Sequence, residues 1–368
     1  MLEIKLTWES KTGNMALSSD EHPKMSKVTP ISRRKKDHIL INIREDVSSA
    51  ITTGLEQIQF EHNAAPELEL NQINLTSTFL GHELKAPLLI SSMTGGTPEA
   101  EKINTVLAQA AQSRGIAMGL GSQRAALEDP SILQTYQIRR YAPDILLFAN
   151  LGAVQLNYGL GIDDCRKAVE DVEANALFIH FNPLQEALQP EGDTNFSGLL
   201  SKIKTLCQSL SVPVVAKEVG WGLSGQIAKR LVDIGVAAID VSGAGGTSWS
   251  QVEMHRAQNE QQRKLASTFV SWGIPTAQAI LDVRNVLPDI PLIASGGLKS
   301  GLDIAKCIAL GANLGAMASP FLQAAVKSTE NVVELIDLIL AEIRICMFVT
   351  GSPDLKGLSR ARILHNRE

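Results

Sequence analysis

Cysteine is sparse and scattered in this chain. Cys165, Cys207, Cys307 and Cys346 form no CxxC pair, which excludes a zinc ribbon and a thioredoxin-type redox motif. Each lies in a helix-like segment, where a small buried thiol suits a reducing compartment. Long hydrophobic runs are also missing. No stretch reaches about 18 consecutive apolar residues, so no membrane span is expected. The opening "MLEIKLTWESKTGNM" lacks a basic start followed by an apolar block, so a secretory signal is not expected and a cytoplasmic location is. Nor is there an excess of positive charge. The net charge of -5 gives no whole-molecule field for nucleic acid, which is not expected as a partner. The single dense basic run is "RRKK", Arg33 to Lys36, and such a run is ordinarily a solvated face or tail.

What is present is apolar content and rhythm. Of 368 residues, 44% are hydrophobic, enough for a large core. Residues 1–30 are polar and aperiodic, and are expected to form a disordered or loosely attached N-terminal extension. Residues 31–368 read as one domain, with a repeating core at about 86–350. Eight short apolar runs occur there: "PLLISSM", "GIAMGLG", "ILLFANLG", "ALFIHF", "PVVAKEVG", "AAIDVSG", "PLIASGG" and "NLGAMAS". Each of the first seven precedes an amphipathic stretch. In "EKINTVLAQAAQSRG", Ile103, Val106, Leu107, Ala110 and Ala111 recur at helical spacing. Runs that are apolar throughout suit parallel strands covered on both faces. Eight such units predict an α/β fold, a TIM (β/α)8 barrel. A doubly wound sheet would carry a GxGxxG turn after its first strand, and "SSMTGGTPEA" is not one.

In a barrel the chemistry lies just past the strand ends. All eight ends here carry glycine or polar residues. "SGGLKSG" and "GAMASPF", after the seventh and eighth strands, make Ser295, Gly296, Gly297, Ala318 and Ser319 candidates for an anion cradle, because glycine lets backbone N–H groups approach a phosphate. Lys217 ends the fifth strand. A lysine facing a barrel mouth needs an anion or a lowered pKa, as in anion neutralisation or a Schiff base. "VSGAGGTSW" offers Ser242, Gly245, Gly246 and Thr247 as donors. "HFNPLQEALQPEGD" delivers His180, Asn182, Gln185 and Glu186 from one strand end. Alternation puts His180 and Asn182 on one side. Glu186 with amide oxygens suits Mg2+, which takes oxygen ligands and shares them with phosphate. "MTGGT" and "GSQRAA" add further donors, with Arg124 as a cation. The charged stretch at 251–264, in the long connection 248–290, is expected to be a lid or an inserted helix.

Taken together, "RKKDH", "MTGG", "GSQRAA", "ANLGA", "HFNPLQEALQPEGD", "KEVGWG", "GAGGTSW" and "SGGL" resemble the type 2, flavin-dependent isopentenyl-diphosphate isomerases, in order over roughly residues 33–350. The resemblance implies FMN in its reduced form, NADPH as reductant, and Mg2+. It implies prenyl diphosphate substrates and a homo-oligomer, tetramer or octamer. By motif, Met93, Thr94, Ser122, Asn150, Lys217, Ser242 and Thr247 would contact the flavin. Gly296, Gly297, Ala318 and Ser319 would hold its phosphate. Arg34, Lys35, His38 and Gln185 would bind substrate. Gln185, His180 and Asn182 would be the catalytic side chains, and Glu186 the metal ligand. Glu253 in "QVE" lies where the motif is loose and carries little weight. The reaction so implied is an allylic proton shift between isopentenyl and dimethylallyl diphosphate, assisted by the flavin. Two other readings fit a flavin or phosphate barrel: an FMN-dependent oxidoreductase of the 2-hydroxy-acid oxidase or dihydroorotate dehydrogenase type, and a non-catalytic barrel that binds phosphorylated ligands.

Overall fold

The computed structural model describes residues 30–365, with side chains from 37 to 364. The expected extension at 1–30, apart from the backbone of Pro30, and the side chains of Arg34 and Lys35 therefore lie outside the described residues. Eight parallel strands close into a barrel in which each strand pairs with the next and the eighth returns to the first. They are Leu88–Ile90, Ala117–Gly119, Leu147–Gly152, Ala176–Phe181, Val214–Glu218, Ala238–Asp240, Leu292–Ser295 and Leu314–Met317. Every one falls inside a predicted run. The runs are apolar throughout because each strand faces the barrel interior on one side and a helix on the other. The helix foreseen in "EKINTVLAQAAQSRG" spans Pro98–Arg114. Thr97 Oγ1 accepts from the Ala100 N–H at its start, and Gly115, at φ 60°, ends it.

Two features depart from the repeating pattern. The second strand is followed by only a short helix, Arg124–Glu128, and by 3-10 turns at Pro130–Thr135 and Arg139–Tyr141. An amphipathic stretch there does not make a full helix, because Pro130 and Pro143 interrupt it. The connection at 248–290 holds two helices, Trp249–Arg256 and Glu260–Ser267, ahead of the covering helix Thr276–Val286. The inserted-helix expectation is thus met.

The barrel interior is a separate small core. Phe148 and Phe178 stack there at 4.4 Å, with Leu89, Val215, Ile293 and Leu314 around them. Its floor is a hairpin that the sequence reading did not single out, Ser77–Phe79 with His82–Leu84. Phe79 and Leu84 plug the bottom of the barrel and belong to that interior core. The closed floor leaves the C-terminal end as the open one. Among the described residues no helix is long and apolar enough to cross a membrane.

Candidate active site

Strand register assembles the first part of the site. Gly152 pairs with His180, His180 with Lys217, and Lys217 with Asp240, across the third to sixth strands. One layer at the barrel mouth thus holds an imidazole, an ammonium and a carboxylate. The Lys217 Nζ donates to Asp240 Oδ2 at 2.7 Å and to Ser295 Oγ at 3.3 Å, while Ser295 Oγ donates to Asp240 Oδ1 at 2.5 Å. All three side chains are buried. An ammonium so committed is a fixed positive charge rather than an amine nucleophile. The Schiff-base option for Lys217 is therefore set aside, and the charge option stands. Asp240 was not foreseen; the signal was a carboxylate inside the apolar run "AAIDVSG". His180 Nδ1 lies 2.8 Å from Asn150 Oδ1.

The fourth strand ends at Phe181, and Asn182 precedes the helix Pro183–Leu188. Glu186 is buried and held by three donors: Asn182 Nδ2 at 2.8 Å, Gln189 Nε2 at 2.5 Å and the Asp193 N–H at 2.7 Å. A carboxylate has about four lone-pair sites, so one on Oε1 remains. Beside it the Asn182 Oδ1 is a buried acceptor with no hydrogen-bond partner. Two oxygens with spare capacity suit a magnesium ion that brings water and phosphate as its other ligands. No group of three or more His, Cys, Asp or Glu able to hold a metal occurs among the described residues.

Glycines shape the opposite wall. Gly296 and Gly297 have φ of 104° and 77°. A Cβ at Gly297 would sit 2.4 Å from the Gly245 carbonyl oxygen, and one at Gly246 would sit 2.5 Å from the Gly297 nitrogen. The loops after the sixth and seventh strands therefore interlock backbone to backbone, and only glycine permits it. Ser242 between them is left-handed at φ 39°; its N–H donates to Asp240 Oδ1 at 3.3 Å. The helix Ser319–Ala325 starts after Ala318 without a side-chain cap, so its first N–H groups are open to an anion. In the loop after the fifth strand, Glu218 Oε2 accepts from the N–H groups of Val219, Gly220, Trp221 and Gly222. Burial pushes that carboxyl up to about 7, against the pull of those four N–H groups.

One cavity of about 680 Å³ runs across the mouth and is lined by His38, Met93, Thr94, Ser122, Arg124, Asn150, His180, Asn182, Gln185, Glu186, Lys217, Ser242, Thr247, Gly296, Gly297, Ala318 and Ser319. Every predicted site residue whose side chain is described lines it, Ser295, Gly245 and Gly246 included. Polar walls on one side and interlocked glycine loops on the other fit a flat ring system with an anionic tail. Ser92 Oγ, also on the wall, is a buried polar atom without a partner. Arg124 is there but already paired, with Asp193 at 2.7 Å and Glu128 at 2.9 Å.

The lid over this cavity comes from outside the barrel. The helix Pro30–Arg44 brings His38 edge-on to Trp249, with ring centroids 5.0 Å apart, and its Nε2 to 3.3 Å from Glu253 Oε1. Glu253 in turn accepts from Gln185 Nε2 at 3.4 Å and from Arg256 at 2.6 Å. Burial raises the Glu253 carboxyl, but His38 and Arg256 outweigh it and hold the group below the ordinary carboxylate range. Glu253 thus links two cavity-lining side chains, His38 and Gln185, despite the loose motif around it. Behind the helix the chain crosses the mouth, where Ser49 N–H donates to the Gly246 carbonyl at 2.7 Å and Ser248 N–H to that of Val47 at 2.7 Å.

Comparison with known proteins decides the family. The chain is 54% identical over 340 residues to an isopentenyl-diphosphate delta-isomerase of Nostoc sp. (strain PCC 7120), covering 92% of this chain and 97% of that one. It is 53% identical to the enzyme of that name from Rickettsia bellii, covering 91% and 98%. The chain belongs to the isopentenyl-diphosphate delta-isomerase family. Residues 182–365 also match the FMN-dependent dehydrogenase family model, which marks this isomerase as a flavoprotein that uses FMN. Solved structures share its fold at low identity: a mandelate oxidase variant at 17% identity and TM-score 0.63, covering 92% of this chain and 100% of that one. A lactate oxidase of Pediococcus acidilactici matches at 15% and 0.65, covering 95% and 98%. Those oxidases are relatives in fold alone.

Proposed function

We propose that the chain interconverts isopentenyl diphosphate and dimethylallyl diphosphate by an allylic proton shift at an FMN cavity. The observation that carries the reading is the meeting of two unlike walls in one cavity. An oxygen-rich wall of Asn182, Gln185 and Glu186 faces the glycine loops of the sixth and seventh strands. Reduced FMN, when bound, supplies an electron-rich ring with a transferable proton. Gly296, Gly297, Ala318 and Ser319 would hold its phosphate. Met93, Thr94, Ser122, Asn150, Ser242 and Thr247 would border its ring, and Lys217 would add the fixed positive charge that favours an anionic form. Glu186 with Asn182 would hold Mg2+ on the substrate's diphosphate. His38, with Arg34 and Lys35 on the same helix, would bind the same group.

At this same end Gln185 is gripped from both sides. Its Nε2 donates to Glu253 and its Oε1 accepts from Asn182 Nδ2 at 3.3 Å. An amide so held orients the reacting carbons; it is too weak an acid or base to move a proton itself. His180, anchored by Asn150, lines the same end. NADPH as the reductant, a cytoplasmic location and a tetrameric or octameric assembly belong to the same reading, on the strength of the family. The test is proton NMR of isopentenyl diphosphate with protein, FMN, Mg2+ and reductant in deuterated water. Deuterium in dimethylallyl diphosphate, with reductant used only to prime the flavin, is the expected result. Stoichiometric consumption of reductant would instead mark an oxidoreductase. Flavin binding with no turnover would mark a ligand-binding barrel.

A further inference from the structure

Arg256 is not among the cavity-lining side chains, yet it is the residue on which the lid converges. Its guanidinium donates to Glu253 Oε2 at 2.6 Å and to Glu191 Oε1 at 2.7 Å. Glu191 belongs to the "QPEGD" segment that closes the strand-four loop, and that segment is itself fastened at two further points. Asp193 N–H donates to Glu186, and Asp193 Oδ2 accepts from Arg124 at 2.7 Å and from Gln155 Nε2 at 3.1 Å. Gly192 lies so close that a Cβ there would reach 1.7 Å from the Glu186 carbonyl oxygen. The diphosphate end of the cavity and its lid are thus joined through one short loop and one arginine.

We infer that Arg256 is a positioning residue: it spans Glu253 and Glu191, fixes the Glu253 carboxylate as the acceptor for Gln185, and so ties the lid to the strand-four loop. This rests on the reading that Gln185 borders the reacting carbons. Only a planar fork with several donors can bridge two carboxylates in this way. Glu253 is faced by His38 from the N-terminal helix, by Gln185 from the strand-four helix and by Arg256 from its own. Neighbouring Glu186 turns its oxygens to Asn182, Gln189 and Asp193 instead. The charged residues of the adjoining helix, Glu260, Arg263 and Lys264, are exposed to solvent. Of the two cationic partners of Glu253, Arg256 alone keeps its charge at every working pH. Protonating Glu253 removes the acceptor that aims Gln185, so turnover falls on the acid side.

The experiment compares wild type, Arg256→Met, Arg256→Lys and Glu191→Gln as FMN-loaded enzymes, following kcat and KM for isopentenyl diphosphate from pH 5 to 9. Expected for Arg256→Met is a fall of about thirtyfold in kcat with KM within about threefold, and an acid limb moved up by about one pH unit. Arg256→Lys should fall between, because one ammonium cannot span both carboxylates. Glu191→Gln should lose about threefold in kcat, with the limb moved slightly down instead, because a negative neighbour of the Arg256–Glu253 pair is removed. A wild-type kcat and acid limb in Arg256→Met and Glu191→Gln would overturn the inference. So would a parallel loss of kcat, KM and FMN retention, which is what a merely structural residue gives. Should Arg256→Met fail to fold, Glu191→Gln decides, because Glu191 sits half exposed at the rim. If wild type itself places no deuterium in the allylic product, the isomerase reading fails, and with it this role.

Discussion

The third and fourth strands and the seventh and eighth strands stand on opposite sides of the barrel, and at their lower ends they are built alike. "RRYAPDILLFAN", from Arg139, and "RNVLPDIPLIAS", from Arg284, share R, PDI and a following L at the same offsets. Arg139 donates to the carbonyls of Ala142, Pro143, Ile145 and Glu173 and to Asn175 Oδ1. Arg284 donates to those of Leu287, Pro288, Ile290 and Gly311 and to Asn313 Oδ1. Each asparagine then accepts from the N–H at the start of its neighbouring strand, Leu147 or Leu292. At the upper ends the likeness stops. Asn150 stands where the other half has Ser295, Gly152 where it has Gly297, and His180 where it has Ala318. The two clamps set the register of their strands. The residues above them are free to differ, and one pair of strands carries the wall of Asn150, His180, Asn182 and Glu186 while the other carries Ser295 and the loops of Gly296, Gly297, Ala318 and Ser319.

The largest effect should come from testing the upper ends against each other. Gly297→Ala forces an alanine to a φ of 77° with its Cβ against the Gly245 carbonyl. FMN affinity, read by flavin fluorescence titration, should drop about 100-fold. Gly152→Ala meets only side chains, the edge of His180 at 3.2 Å and Gln155 Cγ at 3.3 Å, and should change FMN affinity less than about threefold. Equal losses would break the contrast. At the lower ends the halves should behave alike. Arg139→Ala and Arg284→Ala each strand several carbonyls, and chemical denaturation should show a loss of about 3 kcal/mol for either one. A large loss for one and none for the other would end the analogy. A smaller effect is expected from Glu186→Gln, which should raise the Mg2+ concentration for half-maximal activity about tenfold and leave FMN affinity alone. An unchanged Mg2+ requirement would remove Glu186 from the metal role. Smallest of all, Glu128→Gln removes only the half-exposed partner of Arg124 and should shift stability by less than about 0.5 kcal/mol.

The strands were readable because a strand covered on both faces must be apolar along its length, and that pattern survives without coordinates. The wall residues were readable for a related reason: a barrel strand ends in its functional loop, so "HFNPLQE" and "SGGL" announce their own location. Asp240 and Glu253 were harder. A single carboxylate in an apolar run is informative only once Lys217 is known to lie beside it in register. Glu253 sits in a charged helix that looks like ordinary surface until His38, about two hundred residues earlier, is laid against it. The hairpin at 77–84 was missed because nothing in "STFLGHEL" says that Phe79 and Leu84 point into a barrel floor.

The sequence by itself determined the eight-strand repeat, the positions of the loops that carry chemistry, and the residue types offered at the mouth. These follow from local periodicity and from the rule that glycine and polar groups interrupt an apolar run only for a reason. Tertiary structure alone decided the partners: Lys217 with Asp240, Gln185 with Glu253, Arg256 with Glu191. Ion pairs and hydrogen bonds act over about 3 Å, and closing a barrel brings to that distance groups that the chain keeps far apart.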